Sequence, residues 1–191
     1  MNLRALRWLA LASAFGLTAV GCSQRRAPCQ ETETQRPVDQ PLLAFLSRAR
    51  AAHHVADQAE SDRNLPRAVQ ALVAVVDGPL PHAEPNAPEV SEVLADTLAR
   101  LADYESQLGE FDAAAGHIAR GLERVPPTPT YFRGHLYEVS GLVEERRATA
   151  LRTRGDNEGA ERAKSAALVA LETAMKIQAE VIEASAPRAP R

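Results

Sequence analysis

From Pro41 onward, apolar and small residues recur three and four places apart, the spacing that gathers side chains on one face of an α-helix. Leu43, Phe45, Leu46, Ala49, Ala52 and Val55 form the first such stripe and predict a helix from Pro41 to about Ser61. Asn64-Leu65-Pro66 breaks it, with Pro66 suited to the first turn of a second helix that carries Ala68, Leu72, Val75 and Val76. Residues 78–89 hold four prolines and read as a loop. A third helix follows from about Glu89 to Gly109, with Val93, Leu94, Leu98, Leu101 and Leu108 as its buried stripe. A fourth runs to Arg124 with Asp112 as its cap, and Pro126 and Pro127 stop it. Phe132, Leu136, Val139 and Val143 mark a fifth helix from Thr130 to about Gly155. The sixth spans Asn157 to Ala184, with Ala160, Ala163, Ala167, Leu171, Ala174, Met175 and Ile182 on its inner face, and residues 185–191 form a disordered tail. The chain is therefore expected to be all-α.

The three inter-helix turns align. RNLPRAVQALVAVV from Arg63, GEFDAAAGHIARGL from Gly109 and GDNEGAERAKSAAL from Gly155 start 46 residues apart both times. Ala68, Ala114 and Ala160 coincide, as do Val75, Gly121 and Ala167, then Val76, Leu122 and Leu168. Small residues at fixed positions of each second helix allow it to approach the first closely.

The middle unit resembles the tetratricopeptide repeat. Leu101, Ala102, Gly109, Phe111, Ala114, Ile118 and Pro126 match that family's spacing of leucine, small residue, turn glycine, aromatic, alanine, large residue and closing proline. Leu98 replaces the usual tryptophan, Gly121 stands for an alanine, Tyr104 falls one residue early, and the period exceeds the family's ~34 residues. The resemblance implies three antiparallel helical hairpins over residues 41–184, stacked as a short solenoid; the alternative is a compact helical bundle of the same helices. It also implies an inner face lined by the first helix of each hairpin, which places His53, Asp57 and Glu60, then Asp96 and Asp103, then Glu145 and Arg152 against a partner protein. These are mostly acids, which suits a basic or mixed-charge partner better than a bound terminal carboxylate.

The N-terminus changes the setting. Arg4 and Arg7 precede an apolar run from Trp8 to Val20, too short for a membrane span and suited to a signal peptide over residues 1–21. Ala19-Val20-Gly21-Cys22 resembles the bacterial lipobox, with Ala19 where that family favours leucine. The resemblance implies a lipidated Cys22 as the first mature residue and, with Ser23 rather than aspartate after it, an outer-membrane location on the inner leaflet facing the periplasm. Two or more acyl chains suffice for stable anchoring. Residues 22–40 are polar and lack periodicity, as a flexible tether would be. Cys29 is then the remaining thiol.

Composition adds exclusions. Without residues 1–21 the formal net charge moves from −3 to −5, which gives no reason to expect a nucleic-acid partner. Phosphate-loop, dinucleotide, HExxH, CxxC and GxSxG patterns are absent, so an enzyme is not expected, nor any cofactor beyond the covalent lipid. His53 and Asp57 share a helix face, yet two ligands make no metal site. The expected function is a lipid-anchored envelope adaptor that binds another protein or peptide. A self-associating lipoprotein using Tyr131, Phe132 and Tyr137 is the alternative, and a metal or haem carrier using His53 or His54 a lesser one; oligomeric state is left open.

Overall fold

The computed structural model describes residues 39–81 and 87–186, and the regular secondary structure there is helical throughout. Six helices follow one another: α1 (Gln40–Ser61), α2 (Leu65–Val76), α3 (Pro88–Gln107), α4 (Phe111–Arg124), α5 (Tyr131–Thr153) and α6 (Asn157–Ser185). The signal segment, Cys22, Cys29 and nearly all of the tether fall outside the described residues, as do the middle of the proline loop and the end of the tail.

Local chemistry sets the helix starts. The side chains of Asp39, Asn64, Thr130 and Asp156 accept backbone N–H bonds from Leu42, Arg67, Arg133 and Gly159, capping α1, α2, α5 and α6. α4 differs from expectation. Its cap is Glu110, which makes no side-chain cap bond, and Asp112 lies inside the first turn. Asp112 meets Arg147 at 2.9 Å instead of capping the helix.

The three hairpin turns are the same structure. Arg63, Gly109 and Gly155 have φ of 57°, 85° and 84°, in the left-handed region. The N–H of Asn64, Glu110 and Asp156 donates to the carbonyl of Ala59, Glu105 and Leu151 at 2.7, 2.9 and 3.0 Å. This six-to-one bond is the Schellman closure of a helix C-terminus. Glycine adopts its positive φ without a Cβ penalty at two of the turns, whereas Arg63 has a side chain to accommodate.

Each hairpin packs within itself, α1 on α2, α3 on α4, α5 on α6. Between hairpins, α3 touches both α1 and α2, and α5 touches both α3 and α4. The Cα traces of the first and third hairpins do not come within 8 Å among the described residues. The core follows the 46-residue step read from the turns: Ala49, Ala95 and Gly141 are buried, as are Ala56, Ala102 and Ala148, Ala68, Ala114 and Ala160, and Val75, Gly121 and Ala167. Large side chains fill what the small ones leave. Leu72 and Leu101 join α2 to α3, and Leu136 joins α5 to α3 and α4. A Cβ on Gly121 would stand 2.5 Å from Leu136 Cδ2, so the glycine is the space that leucine occupies.

Some expected core residues face outward. Leu43, Val55, Leu108, Met175 and Ile182 are exposed, at 49%, 39%, 42%, 69% and 69%. The inner line of α6 is Ala160, Ala163, Ala167, Ala170 and Ala174. Met175 is one residue, about 100° of helix rotation, away from it. The α6 backbone at Ala167 and Ala174 comes close to Gly141 and Gly134 of α5, whose missing side chains leave room for Leu171 and Ile177, while Met175 and Ile182 are turned to the outside. Leu168, aligned with the half-buried Val76 and Leu122, is likewise 53% exposed.

Candidate functional site

The first helices α1 and α3 carry a polar network along their shared edge. His53 Nε2 lies 2.8 Å from Thr97 Oγ1, and that hydroxyl donates to the Val93 carbonyl at 2.7 Å. Arg100 donates toward His53 Nδ1 at 3.1 Å. These partners fix the histidine as the tautomer with its proton on Nε2 and leave neither ring nitrogen free. Arg100 also reaches Asp57 at 2.5 Å and the Tyr104 hydroxyl at 2.7 Å, and that hydroxyl donates to Glu60 at 2.7 Å. Burial pushes the Tyr104 phenol up to about 12, with the Glu60 bond adding to it and Arg100 opposing.

The same arrangement recurs one unit on. Asp103 of α3 pairs with Arg146 of α5 at 2.7 Å, and both residues lie 46 positions beyond Asp57 and Arg100. Arg146 also donates to Ser106 at 2.6 Å. Another cross-hairpin pair, Asp77 with Arg120 at 3.2 Å, links the C-cap of α2 to α4. With Asp57 57% and Asp77 60% exposed, such pairs contribute about 0–1 kcal/mol each. They set how one hairpin sits on the next more than they stabilise it.

The residues expected to bind a partner therefore divide. His53, Asp57 and Glu60 come together with Asp96 across α1 and α3, but Asp57 is committed to Arg100 and Glu60 to Tyr104. Asp103 is committed to Arg146. Arg152 pairs with Glu161 of its own hairpin at 3.1 Å. Glu145 is exposed and lines, with Arg146 and Thr149, an open depression of about 700 Å³ between α3 and α5. Arg100 and Thr97 were not singled out from sequence, and Tyr104 and Arg146 were not placed in the binding face; stepping the charged positions by 46 residues would have found Arg100 with Arg146.

Acidification should expose the role of His53. Burial holds its pKa below the usual 6.5, with Arg100 adding to the effect and Asp96 at 3.7 Å and Asp57 opposing it. Below pH 6.5 the unfolded chain binds a proton that the folded chain resists. The stability this group contributes is complete above 6.5 and is lost as pH falls through the lower folded value. Urea unfolding at pH 7.5 and 5.5 should show a larger loss for the native chain than for His53→Gln; equal losses would contradict this.

Beside the network lies a groove of about 460 Å³. Leu46 and Ala49 of α1, Val93 of α3 and Phe132 of α5 give it an apolar floor, and Arg50, His53, Glu89, Glu92 and Asp96 complete its lining. A second cavity of about 630 Å³ adjoins it, bounded by Pro88, Val125, Pro126 and Thr130, and shares Glu92 and Phe132 with the first. Of the aromatic residues expected to mediate self-association, Tyr131 is 59% exposed and packs edge-on to Phe132 at 5.3 Å, while Tyr137 is half-buried beneath Arg133. Among the described residues no three potential metal ligands cluster. No helix there is long and apolar enough to cross a membrane. Compared with models of known protein families, with characterised proteins and with solved structures, the chain matches none.

Proposed function

We propose that this chain is a lipid-anchored adaptor of the bacterial cell envelope. It is tethered through Cys22 to the outer membrane, faces the periplasm and binds another protein on the side lined by α1, α3 and α5. In this reading the hairpins form a short tetratricopeptide-like solenoid. Three matching turns and packing restricted to successive hairpins support that arrangement. The observation that carries the binding role is the pair of adjoining cavities that share Glu92 and Phe132, where first helices of all three hairpins converge. Asp57, Glu60 and Asp103 of that side are used internally, whereas Glu89 and Glu92 in the groove make no ion pair among the described residues.

Two experiments test the reading. Globomycin should accumulate uncleaved precursor; normal processing would remove Cys22 as a lipidation site. Replacing Phe132 by alanine together with Glu92 by arginine should lose the partner recovered by cross-linking in the intact envelope. Val169→Arg on the 65% exposed outer face of α6 should keep it. The opposite pattern would place binding elsewhere.

A further inference from the structure

We infer that the groove takes a cationic segment of the partner protein, with a lysine or arginine head between the Phe132 ring and the Glu92 carboxylate and apolar residues on the floor beside it. This rests on the adaptor reading and narrows it.

The junction of the two cavities carries the argument. Glu92 and Phe132 are common to both linings, so a side chain placed there meets a carboxylate and an aromatic ring together. A cation is attracted by both, by formal charge and by the ring quadrupole. The surrounding charges favour the same occupant. Glu89, Glu92 and Asp96 line the groove with Arg50 against them, and the adjoining cavity adds Glu123 and Arg124, so carboxylates outnumber arginines around the junction by four to two. Glu89 and Glu92 make no ion pair among the described residues, and Asp96 has only His53 at 3.7 Å. Glu89 lies in the first turn of α3. Of the acids elsewhere on this side, Asp57 is matched by Arg100 and Asp103 by Arg146, while Glu145 lines the separate depression between α3 and α5. An acidic segment would therefore meet net repulsion in the groove, and a neutral one would leave its carboxylates uncompensated. A volume of about 460 Å³ accommodates a few side chains, which fits a short segment rather than a folded surface.

The test uses the full-length chain in detergent micelles and a random dodecapeptide library as probe, followed by fluorescence anisotropy on individual enriched peptides. Enriched sequences should place lysine or arginine beside leucine or phenylalanine. Glu92→Gln should weaken them about tenfold, the scale of one lost charged contact. Phe132→Ala should weaken them at least as much, Phe132→Tyr should retain them, and higher salt should reduce affinity. Thermal melts of each variant check that the fold is intact. Enrichment of neutral or acidic peptides that still depend on Phe132 would overturn this inference and leave the adaptor reading standing. No enrichment of any composition, or binding indifferent to Phe132, would overturn both.

Discussion

Leu136→Ala should lower the unfolding free energy by about 2–5 kcal/mol, the range for emptying a fully buried leucine site. Leu136 has no exposed surface and reaches from α5 into the core it shares with α3 and α4. Its Cδ atoms fill the place where a Cβ on Gly121 would stand. That relation makes the prediction specific to the contact between the second and third hairpins. Gly121→Leu alone should also destabilise, because the added side chain meets Leu136 at less than van der Waals separation. The double variant should be less destabilised than the sum of the two, since each change supplies what the other removes. Chemical denaturation of the four proteins measures this; additive losses would mean that α4 and α5 do not meet at these residues.

The second large effect is expected at His117. Its Nδ1 lies 2.7 Å from Glu105 Oε2, and their side chains are only 17% and 11% exposed. Removing the histidine leaves a carboxylate with little access to water. His117→Ala should cost about 2–3 kcal/mol, between the cost of an orphaned polar group and that of a broken buried ion pair. The first hairpin supplies the control: 46 residues earlier the same positions are Ala59 and Ala71, and Ala59 is buried. Replacing both Glu105 and His117 by alanine should therefore cost less than His117→Ala alone. Urea midpoints decide it; a double variant no better than the single would mean that the pair is not a local insertion into an otherwise alanine-lined hairpin.

These two sites also show what the amino-acid pattern reveals and what it conceals. The six helices, the three turns and the alanines at Ala68, Ala114 and Ala160 were legible because turn chemistry and small residues leave strong local marks. The inner face of α6 was legible only in part. Met175 and Ile182 look like core by hydrophobicity, yet the neighbouring alanines win because they let two helices approach through Gly134 and Gly141. The polar side was harder still. Asp57 and Asp103 were placed on the inner face, but nothing local says that Arg100 and Arg146 answer them from the next hairpin. The partners are 43 residues away, outside any helical window. The groove was beyond reach for a similar reason, since Leu46, Glu92 and Phe132 come from three different helices.

The central claim is that three equivalent hairpins stack in a row and so leave one side of the first helices open for a partner. Spin labels at Gln70, Gly116 and Arg162, exposed and 46 residues apart on the second helices, test it in the full-length chain with Cys29→Ser. The two neighbouring label pairs should be separated by similar distances, each greater than the ~10 Å between directly packed helices, because the Cα traces of α2, α4 and α6 do not come within 8 Å of one another among the described residues. The distance from 70 to 162 should approach the sum of the two shorter ones. A separation from 70 to 162 no longer than either neighbouring distance would describe a closed bundle and contradict the stacked array.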